Sequence, residues 1–247
     1  MNRILVVIPY LASAAQGDEL RLAVTGWRMH FKVPYLIAVV GDHHPIVETG
    51  NDIMFIECPR VEPVPGQYLP HLDHVHKFRK VRESFQDTEG FIYTCDDIYA
   101  VADFTMEDIL EPKHPELGAY IKPYDWNSNA ADWWSDRGKT AELCVREGLP
   151  ARDWVCHLPV YYEWDKLFAI YDKYDCDHNS YIVENIYFSM LYGDRRSFPA
   201  ADYRYEVKTA NPGGRPLTGV KWITNQNCGW SKALEKILRD HYGIGER

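Results

Sequence analysis

Three apolar runs near the start of the chain constrain its fold more than any other feature. Residues 3–8 (RILVVI), 35–42 (YLIAVVGD) and 52–58 (DIMFIEC) are almost continuously apolar, with little of the alternation that marks a half-exposed strand. Strands of this kind are buried on both faces, as in a parallel sheet that helices cover on two sides. Pro9 follows the first run and is expected to end its strand. The runs therefore predict an α/β fold with a buried, mostly parallel sheet.

The segment between the first two runs predicts a helix. Leu20, Val24, Trp27 and Phe31 recur at helical spacing within AAQGDELRLAVTGWRMHF, and the acidic residues near its start suit the positive end of a helix dipole. Strand, helix, strand, short link and strand is the order of a doubly covered parallel sheet. Further helices are expected over residues 71–85 and 139–147, from about 164, before Gly193, and over 231–243.

The charge and the cysteine content limit the function classes. The chain has 247 residues and a formal net charge of −9, which argues against a non-specific nucleic-acid binder because such proteins present a basic surface. No apolar stretch approaches the roughly 20 residues of a membrane span or forms a signal-peptide core. The six cysteines include no C-x-x-C pair, so we expect mostly reduced thiols and a cytoplasmic location.

Two adjacent aspartates, Asp96 and Asp97, follow the apolar, β-prone run FIYT at residues 91–94. Adjacent carboxylates repel each other and are costly to desolvate, so the pair needs solvent, a cation or several hydrogen-bond donors. If FIYT is a strand of the predicted sheet, the pair lies at its carboxyl end, where open α/β sheets bind ligands. A helix-capping or solvated turn pair is the alternative, and it needs no ligand.

The order ILVVIPY, GDELRLAVTGWRMHF, YLIAVVGD and FIYTCDDIYAV resembles the nucleotide-sugar-binding half of GT-A type glycosyltransferases, in which an acidic D-x-D-like motif ends a later strand. The chain is also similar to Stealth-type sugar-phosphate transferases, which carry an acidic cluster after an apolar strand and a later His-Pro segment. The similarity covers roughly residues 1–100, and a weaker similarity is present at about 154–193. Cys95, Asp96 and Asp97 stand here in place of a literal D-x-D.

The resemblance implies a GT-A-like α/β fold, with a mostly parallel central sheet flanked by helices. A Rossmann-like nucleotide-binding half, about residues 1–102, would be followed by an acceptor-side half, about 103–247. The sequence contains no convincing linker between the two, so residues 1–247 are predicted to form a single domain.

For the acidic motif, the resemblance implies a divalent cation, Mn²⁺ or Mg²⁺. Asp97 would contact the cation directly, and Asp96 would contact the ribose or a metal-bound water, so both are candidate metal-site residues. His157, in the segment CHLP, matches the place of a further ligand from a late loop, and an imidazole suits Mn²⁺ better than Mg²⁺. The alternative for His157 is an ordinary turn residue.

Five other residues are candidates for holding the nucleotide sugar. Pro9 and Tyr10 follow the first run and Asp42 ends the second, where the resembling enzymes hold a base and a ribose. The alternative is that these three residues only end their strands and contact no ligand. Lys77 and Arg79 would approach the donor diphosphate, where a cation stabilises the leaving group. The alternative is that both are exposed charges on an amphipathic helix.

On the acceptor side, Glu184 is the candidate catalytic residue, since a carboxylate opposite the donor would take the proton from an attacking hydroxyl. A helix N-terminal charge is the alternative. Asp97 is the second candidate catalytic residue, acting through the cation. Trp126, Trp133 and Trp134 would form a stacking platform for a sugar ring or, alternatively, part of the core.

The predicted function is therefore a metal-assisted glycosyltransferase that moves a sugar from a nucleotide-diphosphate donor to a hydroxyl of a carbohydrate or another acceptor. Transfer of the sugar phosphate from the same donor is a second enzymatic interpretation. A non-catalytic carbohydrate- or protein-binding domain of the same fold is the third. Neither a nucleic-acid partner nor a membrane span is expected.

Overall fold

The computed structural model describes residues 3–62, 69–115, 132–195, 197–212, 217, 219–225 and 229–245, with only the backbone at 132 and 133. The strands within these residues are β1 (Ile4–Tyr10), β2 (Tyr35–Gly41), β3 (Ile53–Glu57), β4 (Gly90–Tyr93), β5 (Ile98–Ala100), β6 (Lys113–His114), β7 (Val160–Glu163), β8 (Phe198–Pro199), β9 (Arg204–Val207) and β10 (Trp222–Asn225). The α-helices are α1 (Glu19–His30), α2 (Pro70–Ser84), α3 (Met106–Leu110), α4 (Asp132–Arg146), α5 (Trp164–Lys173), α6 (Val183–Tyr192) and α7 (Lys232–Tyr242).

The main sheet has the strand order β3–β2–β1–β4–β7. Its first four strands are parallel to one another, and β7 joins the edge of β4 in the antiparallel direction. This arrangement confirms the prediction of a mostly parallel sheet flanked by helices. The central strands β1 and β4 are joined by parallel pairing at Val6–Ile92 and Val7–Tyr93.

A second, smaller sheet has the order β5–β10–β9. In it β10 runs antiparallel to β5 and parallel to β9, and β6 and β8 form a separate short pair. Strands from beyond residue 103 therefore complete both the main sheet, through β7, and the smaller sheet, through β9 and β10. The division into a single domain with two halves stays a prediction.

Side chains of β1 alternate between two hydrophobic cores, as expected for a strand covered on both faces. Leu5 and Val7 pack in the core that α2, α5 and α6 cover, whereas Val6 and Ile8 pack in the core that α1 covers. All four side chains are at most 3% exposed. The continuous apolar run in the sequence is thus the sum of two alternating patterns.

Pro9 lies inside β1, so the expectation that it would end the strand was wrong. The Val7 carbonyl accepts from the Thr94 amide, and the Tyr10 carbonyl accepts from the Asp42 amide. Odd-numbered residues of β1 therefore turn their backbone groups towards β4, which ends at Tyr93. The missing N–H of Pro9 faces a position where no ladder bond is needed, and the strand can continue on its β2 side.

The predicted helices are present, and α4 begins earlier than the expected start at residue 139. Gly193 closes α6 with a φ of +55°, and the apolar positions Leu20, Val24, Trp27 and Phe31 of the first helix are buried. Among the residues described, no helix is long and apolar enough to cross a membrane.

The carboxyl ends of β1, β2 and β4 meet at one edge of the main sheet, which we call the rim. Only a glycine fits where β2 ends: Gly41 has a φ of +133°, and a Cβ there would lie 2.0 Å from the Tyr10 carbonyl oxygen. The close approach brings the residues that follow β1 and β2 together. Tyr10, Asp42, Asp96 and Asp97 all lie at this rim.

Candidate functional site

The ends of β1 and β2 are held together at the rim. The Asp42 amide donates to the Tyr10 carbonyl at 3.2 Å, and Asp42 Oδ2 accepts from the Ala12 amide at 2.8 Å. Burial raises the pKa of the Tyr10 hydroxyl, and the charges of Asp96, Asp42 and Glu19 raise it further. Tyr10 therefore sits among three carboxylates, next to the loop that follows β1. The half-buried Pro9 precedes it in the strand.

The two aspartates after β4 are half-buried and electrostatically strained. Burial, with the charge of Glu19, raises the pKa of Asp96 to about 7. Burial also raises the pKa of Asp97 well above its ordinary value, and the charges of Asp96 and Glu19 add to the shift. Each negative charge thus penalises the others in surroundings with little water.

Glu19 is the third carboxylate of this group, which we call the acid cluster (Glu19, Asp96 and Asp97). It is 4% exposed at the start of α1. Its Oε2 accepts from the Gln16 amide at 2.6 Å, and its Oε1 accepts from Asn225 Nδ2 at 3.0 Å. The sequence marks Glu19 only as an acid in a first helical turn, and does not predict its contact with residues beyond position 220.

The donor set of the acid cluster fits a hard divalent cation. Asp97 Oδ1 is buried and has no hydrogen-bond partner in the described residues, and none of the three carboxylates forms an ion pair there. An orphaned buried oxygen and raised carboxyl pKa values are both relieved by a nearby positive charge. No group of three or more His, Cys, Asp or Glu side chains within the described ranges is arranged to hold a metal. Mg²⁺ needs only one or two carboxylates when substrate phosphates and water complete its shell.

Lys77 lies beneath the rim rather than on its surface. Its side chain is 2% exposed, and its Nζ donates to Asp73 Oδ2 at 2.6 Å and lies 3.5 Å from the Tyr10 carbonyl oxygen. Asp73 is fully buried and also accepts from the Val61 amide at 3.0 Å. The positive charge of Lys77 lowers the pKa of Asp96, in opposition to burial and Glu19. Lys77 therefore acts on the rim as a fixed charge.

Arg79 lies away from the rim, on the far side of α2. Its guanidinium forms ion pairs with Asp177 at 2.7 Å and Asp172 at 2.9 Å. It also lies over the rings of Phe168 and Tyr171. The two aspartates thus neutralise the positive charge of Arg79. The structure does not bring Arg79 together with the other candidate donor-binding residues.

His157 lies on the loop before β7, with a left-handed backbone φ of +47°. His157 is exposed, and neighbouring groups together with the positive charge of Arg204 lower the pKa of its imidazole. Arg204 also lowers the pKa of Asp97. Its guanidinium donates to Thr224 Oγ1 at 3.1 Å and lies 3.2 Å from Glu206. The charge of Arg204 thus acts on both Asp97 and His157, and no pattern in the sequence singles this arginine out.

Glu184 lies in the first turn of α6 and is half-buried. Burial and the charge of Asp153 raise the pKa of its carboxyl to about 8. The nearby Cys156 backbone and Tyr162 hydroxyl lower the pKa and partly offset the shift. Glu184 is therefore close to the His157 loop, and it is a proton acceptor only near and above pH 8.

Cys95 connects the acid cluster with Glu184. Burial raises the pKa of its thiol, and the charges of Asp97, Asp96 and Glu184 add to that shift. Its Sγ lies 3.1 Å from the Tyr93 hydroxyl. The carboxylates after β4 and the carboxyl on α6 therefore flank the same residue. The five cysteines among the described residues form no disulfide, and the reduced state and the cytoplasmic location stay predictions.

Of the three predicted stacking tryptophans, Trp126 and the side chain of Trp133 lie outside the described residues. Trp134, on α4, is 42% exposed, and the guanidinium of Arg137 lies 5.4 Å from its ring centre. A sugar platform at this place stays a prediction.

Comparison of the chain with known protein families finds no match, and neither does comparison with curated proteins. Solved structures similar to the chain are glycosyltransferases, in agreement with the resemblance seen in the sequence. The galactosyltransferase LgtC, solved with donor and acceptor sugar analogues, is 10% identical, with a TM-score of 0.48 over 97% of this chain and 95% of LgtC.

Two further glycosyltransferases are similar at the same level. GlyE of Streptococcus pneumoniae is 14% identical, with a TM-score of 0.43 over 98% of this chain and 60% of GlyE. A glycosyltransferase involved in glycosylation of the major capsid of PBCV-1 is 11% identical, with a TM-score of 0.45 over 99% of this chain and all of the other. The structural similarity is too low to support a conclusion about function. Any such conclusion depends on the arrangement of residues at the rim. Similarity to Stealth-type transferases stays a prediction.

Proposed function

We propose that the protein is a glycosyltransferase that binds a nucleotide-diphosphate sugar at the rim and moves the sugar to an acceptor hydroxyl. The observation that carries the proposal is the acid cluster: two carboxylates after the carboxyl end of β4 and a third at the start of α1, none of which forms an ion pair in the described residues. A cluster like this is unfavourable for the empty protein. It becomes favourable when a cation that carries a pyrophosphate binds there.

Asp97 and Asp96 would hold the divalent cation, Mg²⁺ or Mn²⁺, and Glu19 would fix the loop beside them through the Gln16 amide. When bound, such a cation neutralises charge on the diphosphate leaving group. The chain itself supplies two further positive charges near this place, Lys77 from beneath and Arg204 from the side. His157 would complete the cation's shell only after its loop approaches.

The end of β1 and the end of β2 would hold the nucleoside. Pro9, which is half-buried, would lie beside the base together with Tyr10, which is 7% exposed, and the Asp42 carboxylate offers acceptors for ribose hydroxyls. Asp42 Oδ2 already fixes the loop after β1 through the Ala12 amide. Base and ribose would therefore be recognised by residues whose positions the sheet determines.

Glu184 would act as the general base that takes the proton from the acceptor hydroxyl. Its carboxyl is buried, and its pKa of about 8 places the proton acceptor close to the operating pH of a typical enzyme. The Cys156 backbone and the Tyr162 hydroxyl lower this pKa and so favour the carboxylate form.

Thermal unfolding with nucleotide diphosphates tests this proposal. At least one of UDP, GDP, CDP and ADP, with Mn²⁺, should raise the melting temperature, because a ligand selective for the native state stabilises it. Asp97→Asn should lose the Mn²⁺-dependent part of the shift. Asp87→Asn is a matched control, since Asp87 is exposed at the opposite edge of the sheet.

The proposal is wrong if no nucleotide diphosphate shifts the melting temperature, or if Asp97→Asn keeps the full Mn²⁺ dependence. Product analysis then separates the two enzymatic interpretations. Glycosyl transfer leaves the diphosphate on the nucleotide, whereas sugar-phosphate transfer leaves one phosphate on the acceptor.

A further inference from the structure

The acid cluster brings together carboxylates from two distant parts of the chain. Asp96 and Asp97 lie between β4 and β5, whereas Glu19 lies at the start of α1. Like charges repel each other, so the fold has to hold these groups in place until a cation binds. Asn225, at the end of β10, contacts both parts.

The pairing of β10 with β5 places Asn225 next to the acidic motif. The two strands run antiparallel with Thr224 opposite Ile98, so Asn225 comes opposite Asp97. The backbone N–H of Asn225 donates to the Asp97 carbonyl at 3.3 Å. The backbone of the acidic motif is thus attached to the C-terminal part of the chain.

The side chain of Asn225 joins Glu19 to Tyr99. Its Nδ2 donates to Glu19 Oε1 at 3.0 Å, and its Oδ1 accepts from the Tyr99 hydroxyl at 2.7 Å. All three residues are at most 4% exposed. Hydrogen bonds that follow one another in this way polarise each other, and they are stronger in surroundings with little water.

The Tyr99 hydroxyl fixes the direction in which the Asn225 amide points. A carboxylate only accepts hydrogen bonds, so the NH₂ end of the amide has to face Glu19. The hydroxyl donates to the other end, and this favours the same orientation. Turned the other way, the amide would place its oxygen against Glu19 Oε1, where two acceptors repel each other. Tyr99 therefore acts on Glu19 through Asn225.

Glu19 is held from its other side as well. Its Oε2 accepts from the Gln16 backbone N–H at 2.6 Å, so each carboxylate oxygen has a donor in a fixed position. The Glu19 charge therefore keeps a fixed place beside Asp96 and Asp97, on whose carboxyls it acts.

We propose that Asn225 is a positioning residue of the cation site, which holds the Glu19 carboxylate through its side chain and the Asp97 carbonyl through its backbone. Tyr99 keeps the Asn225 amide in the orientation that this role needs. The role rests on the proposed function, since it takes the acid cluster as the place where the cation binds. The affinity for the cation then depends on a residue that acts through Glu19 and is not itself a ligand of the metal.

Titration of the full chain with Mn²⁺ alone, with electron paramagnetic resonance recording the free ion, tests the inference. Asp97→Asn identifies the site, because binding at the acid cluster should be lost in this variant. Tyr99→Phe removes the buried hydroxyl that orients Asn225, and Kd should rise about threefold or more, part of the value of one hydrogen bond.

Tyr242→Phe is the matched control. The Tyr242 hydroxyl is also buried and also donates at 2.7 Å, but to the Ala100 carbonyl in β5. Both variants lose a hydroxyl of the same kind, so their melting temperatures should fall by similar amounts. Kd for Mn²⁺ should be unchanged in Tyr242→Phe, because this hydroxyl donates to β5 instead of Asn225.

A double-mutant cycle separates positioning from a general loss of structure. Asn225→Leu removes both ends of the amide and should raise Kd about tenfold, within the value of one or two hydrogen bonds. In the Glu19→Gln background the same substitution should change Kd little further, because the group on which Asn225 acts has lost its charge. Circular dichroism confirms that each variant is folded. An effect of equal size in both backgrounds would overturn the inference.

Equal changes of Kd in Tyr99→Phe and Tyr242→Phe would overturn it too, even if Asn225→Leu does not fold. So would the absence of Mn²⁺ binding by the wild-type protein. If either result accompanies a positive nucleotide shift, the positioning role fails and the transferase proposal stands. If Asn225-dependent Mn²⁺ binding accompanies no nucleotide shift, the cation site stands and the transferase proposal fails.

Discussion

Acidic side chains are buried or half-buried at two neighbouring places near the ends of the central strands, and they differ in whether a positive charge pairs with them. Asp73, on α2, is fully buried, and Lys77 Nζ lies 2.6 Å from one of its oxygens while the Val61 amide binds the other. In the acid cluster Glu19 is buried and Asp96 and Asp97 are half-buried, yet the cluster forms no ion pair in the described residues and leaves Asp97 Oδ1 without a partner.

The difference separates a structural role from a binding role. A buried carboxylate with a matched lysine is complete, and it stabilises the junction of α2 with the ends of β1 and β3 as it stands. Burial raises the pKa values of the three carboxyls at the rim, and the charge of Glu19 raises those of Asp96 and Asp97 further, so the cluster is incomplete without an added cation. We therefore expect removal of charge to have opposite effects on stability at the two places.

The largest expected effect is on catalysis. Asp97→Asn keeps the shape of the side chain and removes the negative charge that would hold the cation, so kcat/KM should fall by about 10³-fold, a typical loss for one strong electrostatic group in an active site. The melting temperature of the same variant, without metal, should stay the same or rise. Kinetics with the donor identified by thermal shift, at several Mn²⁺ concentrations, measures the first effect. If the variant retains activity with the same Mn²⁺ dependence, Asp97 is not a ligand of the metal.

Breaking the paired acid should have the next largest effect, this time on folding. Lys77→Met leaves Asp73 charged and buried, and loss of one partner of a buried ion pair costs about 3–5 kcal/mol. Asp73→Asn combined with Lys77→Met should recover part of this loss, because the neutral amide still accepts from the Val61 amide. Urea denaturation of the two variants measures the difference. If the free energy of unfolding of Lys77→Met is no lower than that of Asp97→Asn, the contrast between the paired acid Asp73 and the unpaired acid cluster is wrong.

Glu184→Gln should lower kcat by about 10²–10⁴-fold, the usual contribution of a general base. Because the carboxyl must lose its proton to act, the rate of the wild-type protein should rise with pH up to about 8, and the variant should lose this dependence. A pH–rate profile between pH 6 and pH 9 records both. Persistence of the same rising limb in Glu184→Gln would assign it to another group.

Stability should fall as the pH rises from about 6.5 to about 8. The ordinary pKa values of Asp and Glu lie near 4, whereas Asp96 titrates at about 7 and Glu184 at about 8 in the folded chain, so deprotonation of these two groups destabilises the fold. Below about pH 6.5 His71 and His74 oppose this effect, because burial lowers their pKa to about 3 and the unfolded state binds the extra protons. Asp96→Asn should reduce the loss of stability with rising pH up to about 7, whereas Asp87→Asn should leave the curve unchanged. Calorimetry at several pH values, with and without Mn²⁺, gives the comparison.

Arg79→Ala should have the smallest effect. Its ion pairs with Asp172 and Asp177 are partly exposed, and pairs of this kind contribute up to about 1 kcal/mol. Nucleotide binding should be unchanged, because the guanidinium lies away from the rim. A tenfold weaker nucleotide affinity in this variant would restore the sequence-based prediction that Arg79 contacts the diphosphate.

The sequence predicted the sheet and the place of the acid pair because both follow from local patterns. Continuous apolar runs identify β1, β2 and β3, and the position of Asp96 and Asp97 after FIYT places them at the rim. Pro9 was misjudged, because a proline ends a strand only where its missing N–H would have bonded. Whether it would have bonded depends on where β4 ends, which no local pattern specifies.

The remainder of the candidate site depends on contacts between distant parts of the chain. Glu19 joins the acid cluster through Asn225, and Arg204 reaches Asp97 and His157 from β9. Lys77 and Arg79 are two residues apart on α2, so helical geometry turns one under the rim and the other towards α5. The sequence alone gave them the same role, since it does not reveal which face of α2 meets the sheet.

The sharing of strands between the two halves of the chain has a consequence for its synthesis. Tyr99 in β5 pairs with Ile223 in β10, and Phe91 in β4 pairs with Tyr162 in β7. During synthesis, β4 and β5 leave the ribosome before their partners β7 and β10 have been made. Their edges are then unpaired, and unpaired strand edges promote association with other chains. We expect fragments that stop near residue 102 to aggregate, because β7 and β10 are absent and cannot cover these edges.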